Sequence, residues 1–217
     1  GVAGLDAALG GGIARGRVHE LYAGTIEDCP SAAGFALMLA LKAGGPAGTL
    51  IWLGPRRTLP HAPGLVELGV AVERLLFVSV AGGKALLKAA ADILRSPAAG
   101  TLVVDASAHG KAIDLTASRR LTLFAERSGV TALLLRGVGA QLPSSAETRW
   151  LVTAAPSTPI EAEAPGAPAF AVDLVRRRGG PPSHGWRLEW DRDAAAFREQ
   201  ALPGAVPADA GARRLAG

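Results

Sequence analysis

Cysteine, lysine and long apolar runs are all scarce in this sequence. Cys29 is the only cysteine among 217 residues, which excludes an internal disulfide and a metal site built from several thiolates. The longest strongly apolar run, residues 35–41, is far shorter than the roughly 20 residues that a membrane-spanning helix needs. The four histidines are scattered without paired ligand spacing, so we expect no metal site.

The start of the chain carries no sign of a secretion signal. It begins Gly-Val-Ala-Gly, with no basic stretch before an apolar one, so we expect a cytoplasmic protein without membrane contact. The first residue is not methionine, and we expect the chain to be a piece of a longer protein. Residues 203–217 lack a hydrophobic period, which predicts a disordered tail after one domain at 1–202.

Positive charge comes mainly from arginine. Only four of the 23 basic residues are lysines, and the formal net charge is +4. Arginine forks suit phosphate and carboxylate partners better than lysine does, so the charge slightly favours contact with nucleic acid. The abundance of alanine and glycine beside arginine also fits a GC-rich genome, which is an alternative origin of the same bias.

Apolar strand-like segments alternate with helical ones through the first two thirds of the chain. The predicted strands are 18–22, 49–53, 75–80, 101–107 and 130–135, and the predicted helices are 31–42, 84–95 and 114–127. Strands that are apolar throughout, with helices between them, indicate a parallel sheet covered on both faces. Segments 148–154, 170–178 and 185–191 alternate in polarity instead, which predicts an antiparallel, half-solvated extension. The predicted fold is therefore α/β: a mostly parallel sheet flanked by helices, with a C-terminal antiparallel extension.

The order of these segments, together with several motifs, resembles the core of the RecA recombinase family. The opening GVAGLDAALGGGIARGRVHELYAG has a Leu-Asp-x-x-Leu-Gly turn, a Gly-rich stretch and Gly-Arg before the first strand. TLVVDAS stands where that family has its second nucleotide motif, and FAVDLVRRRGGPPSHGWRLEWD is similar to its closing strands. The LDAALGGG opening and the late GWRLEWDR strand look like the ImuA group, RecA/SulA-like proteins of bacterial SOS mutagenesis cassettes. The resemblance implies a RecA-like core.

The loop after the first strand is where the resemblance places a phosphate loop. A working loop needs backbone amides, a lysine on the β- and γ-phosphates and a hydroxyl on Mg²⁺. Counting from the predicted helix start puts Ala32 near the lysine position, Ala33 near the hydroxyl position and Ser31 just before them. The first lysine in the chain is Lys42, too far along to serve.

Two acids stand in this loop instead. Glu27 and Asp28, which follow Gly24, would lie close to a bound triphosphate. Two like charges ~4 Å apart repel by about 4 kcal/mol at an effective dielectric of about 20. The same acids suit the start of a helix, where they complement its dipole and cap free amides. The sequence therefore predicts a self-capped structural helix in place of a phosphate site.

Other parts of the ATPase machinery are replaced as well. Gly54 and Pro55 stand where RecA-like ATPases carry a catalytic Glu, and Arg136 and Gly137 stand where the family has a γ-phosphate-sensing Gln. Asp105 remains at the end of its strand, where we expect it to cap the following turn rather than hold Mg²⁺. We therefore expect no ATP hydrolysis, no cofactor and no enzyme activity.

Contacts with DNA or a partner protein have few candidates in the sequence. The candidate arginines are Arg56, Arg57, Arg176, Arg177 and Arg178. For the last three, which precede GGPPSHG, a solvated turn is the alternative. AHGKAID and VGAQLPSSAE, which replace the two DNA-contacting loops of RecA, are short and have no aromatic residue for base stacking. We expect DNA binding to be weak.

The resemblance implies a noncatalytic adaptor in SOS-induced translesion DNA synthesis and mutagenesis. The implied partner is an inactive Y-family polymerase of the ImuB type, with RecA and an error-prone DnaE-type polymerase as further candidates. Two alternatives stay open. One is a divergent RecA-like, DNA-dependent ATPase whose missing lysine comes from a partner, and the other is a SulA-like inhibitor of cell division.

Overall fold

A single sheet runs through the computed structural model, which describes residues 2–45, 48–139 and 142–200. Its strands are β1 (Val18–Ala23), β2 (Leu50–Gly54), β3 (Leu75–Ser79), β4 (Thr101–Asp105), β5 (Thr131–Leu135), β6 (Thr148–Ala154), β7 (Ala169–Arg177), β8 (Ser183–Asp191) and β9 (Ala196–Glu199). The helices in these ranges are α1 (Ala3–Leu9), α2 (Cys29–Gly44), α3 (Ala62–Glu67), α4 (Gly83–Leu94) and α5 (Leu115–Ser128). The strand order is β3-β2-β4-β5-β1-β6-β7-β8-β9. The predicted tail, 203–217, lies outside the described residues.

The parallel half of the sheet is buried on both faces. β1, β2, β4 and β5 are buried along their whole length, and the pairs they make with one another are parallel. Side chains alternate between two cores: Trp52 and Val103 pack in the cluster that contains α2, while Leu53 and Val104 pack in the cluster of α4 and α5. The doubly covered parallel sheet predicted from the apolar runs is confirmed.

β6 joins the parallel and antiparallel parts of the sheet. It pairs antiparallel with β7, as the sequence predicts for 148–154, and β8 and β9 continue that extension. On its other side β6 pairs parallel with β1, which the sequence does not predict, and most of the strand is buried rather than half-solvated. Its alternating polarity comes from buried polar pairs rather than from a solvated face. Thr148 bonds to His19, and Arg149 bonds to Glu20, both across the β1–β6 pairing.

This topology brings the carboxyl ends of β1, β4 and β5 to one edge of the sheet, next to the start of α2. Parallel α/β sheets bind ligands at that edge. In the part of the chain that is described, no helix is long and apolar enough to cross a bilayer. No group of three or more His, Cys, Asp or Glu within those residues could hold a metal ion.

Candidate functional site

A cleft of ≈ 340 Å³ lies at the carboxyl ends of the parallel strands, and we call it the strand-end cleft. Its lining consists of Ala23, Cys29, Pro30, Ala32, Ala33, Arg57, Thr58, Leu59, Asp105, Ser107, Leu135 and Gly137. The resemblance to RecA implies a nucleotide site here, and Ala32, Ala33 and Asp105 all border the cleft. Most of the lining is apolar, so the cleft offers little to a polyanion.

Asp28 binds the loop and β6 rather than the amides of α2. Its Oδ2 accepts from the backbone N–H of Thr25 at 2.9 Å and from the Thr25 hydroxyl at 3.0 Å, while Oδ1 accepts from the N–H of Ala154 at 2.8 Å. These bonds, that from Ala154 first, lower the pKa of Asp28. The predicted helix cap is therefore wrong: Asp28 stands at the N-cap of α2 but makes no side-chain bond to it.

Glu27 does not cap the helix either. Its carboxylate is exposed, and its pKa is lowered by hydrogen bonds first from its own backbone amide and then from Thr25. Gly24 fits the same loop, because a Cβ there would lie 2.5 Å from Thr153 Cγ2 and 3.0 Å from Asp28 Oδ2. The loop is thus held closed by Asp28, with a glycine where the chain passes close to β6.

The start of α2 shifts the positions assigned to the missing lysine and hydroxyl. The helix begins at Cys29, two residues before the predicted start, so the same count moves the lysine position from Ala32 to Pro30. It also moves the hydroxyl position from Ala33 to Ser31. Among the residues that line the strand-end cleft there is still no lysine. The aligned positions therefore change, but neither alignment puts a lysine ammonium group in the cleft.

Asp105 is engaged by the turn that follows β4. Its Oδ1 accepts from the N–H of Ser107 at 3.0 Å and from the Ser107 hydroxyl at 2.6 Å, which is the turn contact expected from the sequence. Gly54 lies directly against it, since a Cβ on Gly54 would stand 2.9 Å from Asp105 Cβ. A glutamate at that position would not fit beside Asp105 without a backbone shift. Burial, followed by the charge of Asp105, raises the pKa of the Cys29 thiol, which keeps that thiol protonated.

The candidate arginines separate into exposed and structural ones. Arg56 and Arg57 are exposed on a 3₁₀ turn after β2, and Arg57 borders the strand-end cleft. Arg176 Nη1 donates to the carbonyl of Ser144 at 3.1 Å, and Arg177 Nη1 donates to the carbonyl of Ala8 at 2.6 Å. A guanidinium at Ala8 suits the last turn of α1, where carbonyls are left free.

The run 176–178 is therefore not simply a solvated turn. Arg177 holds the end of α1, and Arg176 holds the segment before β6. Arg178 is exposed, and of the run only Arg176 and Arg178 line a common groove beside α5. Since residues adjacent on a strand point to opposite faces, Arg177 does not share the surface of its two neighbours. Contact of these arginines with DNA or a partner protein stays a prediction.

Sequence reasoning missed a buried ion-pair network between β1, β6 and the residue after β5. Glu20 is fully buried, with its Oε2 2.8 Å from Arg149 Nε and its Oε1 3.7 Å from Arg136 Nε. Arg136 also donates from Nη1 to the carbonyl of Ile113 at 3.1 Å. Arg136, which the resemblance aligns with the γ-phosphate-sensing Gln, thus makes contacts that hold the fold together. The sequence feature that could have indicated this network is the pair of adjacent polar residues, His19 and Glu20, inside the otherwise apolar strand VHELYA.

Replacing Asp28 with Ala should lower the free energy of unfolding by about 0.5–2 kcal/mol, the range found for side chains that cap backbone amides. The loss follows because the amides of Thr25 and Ala154 lose their carboxylate acceptor. Urea denaturation followed by circular dichroism measures it. Glu27→Gln is the matched control, and it should lower the urea midpoint less than Asp28→Ala does, because Glu27 is exposed and is hydrogen-bonded only within the loop. The opposite ranking of the two variants would contradict the assignment.

Comparison with known proteins finds relatives in two groups. Protein ImuA of Caulobacter vibrioides is 33% identical over 194 residues, which cover 83% of this chain and 77% of that protein. Protein RecA of Rhodospirillum centenum is 38% identical over 109 residues, 50% of this chain and 29% of RecA. Protein RecA of Picosynechococcus sp. is 33% identical over 104 residues, 48% of this chain and 29% of RecA. No family model matches the chain.

The sheet, the cleft at its carboxyl edge and the similarity to RecA define a RecA-like α/β protein. The chain belongs to the ImuA family. Both parts of the resemblance inferred from the motifs, to RecA and to the ImuA group, are thereby confirmed.

Proposed function

We propose that this protein is a noncatalytic adaptor in SOS-induced translesion DNA synthesis and mutagenesis, acting in the cytoplasm through protein contacts. Membership of the ImuA family supports the setting. The observation that carries the noncatalytic part is the closed loop, in which Asp28 takes the hydrogen bonds of Thr25 and Ala154. The protein's own carboxylate occupies the Thr25 donors, which a phosphate loop would offer to a nucleotide, and ties the loop to β6 through Ala154.

Three further contacts support the same conclusion. Asp105, which could hold Mg²⁺ through water, already accepts both donors of Ser107. The close approach of Gly54 to Asp105 leaves no room for a catalytic glutamate. Arg57 is the one cation in the cleft lining, and it stands at the exposed 3₁₀ turn. A bound triphosphate would face Asp28 and Asp105 with a single guanidinium to balance its charge.

The partners that we propose are an ImuB-type inactive Y-family polymerase and, beside it, RecA and an error-prone DnaE-type polymerase. Arg56 and Arg57 are proposed as contact residues, because both are exposed on the 3₁₀ turn and Arg57 borders the cleft. A RecA-like surface without nucleotide chemistry would act by holding proteins together. The alternative, a DNA-dependent ATPase, requires a nucleotide in the strand-end cleft and a lysine supplied by a partner, so that partner capture would depend on Mg-ATP.

Mg-ATP at millimolar concentration should give no specific heat in calorimetry and no rise in Tm. The physical reason is the closed, acidic loop without a lysine. The measurement is sensitive, because a ligand at about 100 times its Kd stabilises a protein by about 2.7 kcal/mol. A Kd in the low micromolar range, or turnover that is abolished by Asp105→Asn, would overturn the noncatalytic assignment.

The adaptor part is tested by a pull-down against the ImuB-type polymerase and RecA, with and without Mg-ATP. An adaptor should retain at least the polymerase partner equally well in both conditions. Capture that depends on Mg-ATP would favour the ATPase alternative, and capture of neither protein would remove the support for an adaptor.

A further inference from the structure

A groove lined by three arginines shares no residue with the strand-end cleft. The groove measures ≈ 460 Å³ and is bounded by α5, by Ser144 and Ser145, and by the end of β7. Arg119 comes from α5, and Arg176 and Arg178 come from β7 and the residue after it. We call this site the arginine groove. Since β7 ends where β6 begins, the groove is at the amino ends of the parallel strands, whereas the cleft is at their carboxyl ends.

The floor of the arginine groove is a fixed network of hydroxyl groups. Ser145 Oγ lies 3.1 Å from Ser118 Oγ and 2.8 Å from Thr122 Oγ1, and the N–H of Ser145 donates to Ser118 Oγ at 3.0 Å. Arg176 fixes the adjacent residue through the carbonyl of Ser144. The position of Arg176 and of the serine segment is thus set before any ligand arrives.

The charge of the groove is not balanced by its neighbours. Glu126 is the one acid in the lining, and its carboxylate is 2.5 Å from Arg17, which stands outside the groove. Within the described ranges, Arg119, Arg176 and Arg178 make no ion pair. Arg119 and Arg178 are exposed. Two exposed guanidinium groups, those of Arg119 and Arg178, and the half-buried one of Arg176 therefore line one concave surface without a carboxylate partner among the described residues.

We propose that the arginine groove binds the phosphodiester backbone of a nucleic-acid strand without reading its sequence. Arginine forks together with serine and threonine hydroxyls are the groups that contact phosphate oxygens in such complexes. Arg176 and Arg178 are two residues apart, about 6.8 Å along an extended chain, so they can engage separate oxygens of one strand. The lining carries no aromatic ring for base stacking, which favours backbone contact alone.

An acidic protein segment is the competing occupant. The lining of the groove favours a nucleic-acid strand. The arginines come from two separate elements, the floor of the groove is polar, and Leu115 and Leu123 are the apolar residues of the lining. A peptide partner would gain most from apolar anchors, and the lining offers few of them. Nucleic-acid binding by the arginine groove does not depend on the adaptor role. Either proposal can be refuted without affecting the other.

The test uses the double variant Arg119→Ala with Arg178→Ala, two exposed residues without a recorded role in the fold. Fluorescence anisotropy with a labelled single-stranded DNA of mixed sequence, titrated at several salt concentrations, measures affinity and its salt dependence. We expect at least a tenfold loss of affinity at low salt. The slope of log K against log salt should fall in magnitude by about 1.4, since each phosphate contact on a single strand contributes about 0.7.

Arg120→Ala is the matched control, because Arg120 is the next residue on α5, is exposed and does not line the groove. It should keep at least half of the parent's affinity and an unchanged salt slope. Equal urea midpoints for the three proteins show that the fold is intact. A parent without salt-dependent binding, or a double variant no weaker than Arg120→Ala, would overturn the proposal.

Three competitors distinguish nucleic acid from an acidic protein as the ligand of the groove. An RNA strand and a second DNA sequence of equal length should displace the labelled DNA about equally well, since the phosphodiester backbone is common to them. Poly-glutamate of equal charge should compete at least tenfold less well. If poly-glutamate matches the oligonucleotides, the groove is a site for an acidic protein; if one sequence binds tenfold more tightly than another, backbone contact alone is refuted.

Discussion

Replacing Glu20 with Gln should destabilise the protein by about 3–5 kcal/mol, the cost of removing one partner from a buried ion pair. The Glu20 side chain is fully buried between Arg149 and Arg136, whose side chains are 9% and 2% exposed. Without the carboxylate, two guanidinium groups stay buried with no negative charge between them. Chemical denaturation at neutral pH, followed by circular dichroism and fluorescence, measures the loss.

The two guanidinium groups keep some hydrogen bonds in the Glu20→Gln variant, and these bonds limit the loss of stability. Arg136 still donates to the carbonyl of Ile113, and Arg149 still donates to the carbonyl of Leu142. These carbonyls satisfy N–H groups but supply only partial negative charge. The variant should therefore fold and unfold cooperatively at a lower denaturant concentration.

Asp92→Asn is the matched control, since it breaks an exposed ion pair with Arg95 at 2.6 Å. An exposed pair contributes about 0–1 kcal/mol, so the control should hardly change the midpoint. The double variant Glu20→Gln with Arg149→Met should lose less than the two single variants together, because the buried charge is removed along with its partner. Equal losses for Glu20→Gln and Asp92→Asn would show that the buried network does not stabilise the fold.

The core of the fold could be predicted because its signal is local. Each parallel strand is buried on both faces, so its sequence is apolar throughout, as in LIWL of β2 and TLVVD of β4. The short elements α1, α3 and β9 were missed, since seven, six and four residues carry too little periodicity. β9 belongs to the core through Phe197, which packs at 5.0 Å from the ring of Trp190.

The sequence alone could predict which nucleotide-binding groups the candidate site lacks. It could not predict which contacts the remaining side chains make. The missing lysine and the acids in the loop are visible in a single sequence. The acceptor role of Asp28 toward Ala154 joins residues 126 positions apart, and the bond from Arg177 to Ala8 joins residues 169 positions apart. Contacts of that range depend on the strand order, and the parallel placement of β6 beside β1 was not predicted.

Lowering the pH from 6.5 to 4 should destabilise the protein through His19 by about 3 kcal/mol. The ring of His19 is fully buried, with Nδ1 2.7 Å from Thr148 Oγ1 and Nε2 2.8 Å from the carbonyl of Ala14. Because Trp150 Nε1 donates to Thr148 Oγ1, that hydroxyl can donate to Nδ1 while Nε2–H donates to Ala14. Both ring nitrogens are thus satisfied in the neutral form, and a second proton has no acceptor.

The sign of this effect follows from the two pKa values. Burial lowers the pKa of His19 in the folded protein from 6.5 to about 4, while the Ala14 carbonyl opposes the shift and the charge of Arg17 adds to it. Between these pH values the unfolded chain binds a proton that the folded protein does not. The contribution is therefore complete at neutral pH, falls as the pH drops below 6.5, and levels off below about 4.

Urea denaturation of the parent and of His19→Gln at pH steps from 7.5 to 4 isolates this contribution from that of the carboxylates. The variant should be less stable at pH 7 through lost hydrogen bonds and packing, but its free energy of unfolding should fall less steeply than the parent's between pH 6.5 and 4. His61→Gln, at an exposed position, should follow the parent throughout. If His19→Gln and the parent lose stability in parallel over that range, the neutral buried His19 is not the group that makes the fold acid-sensitive.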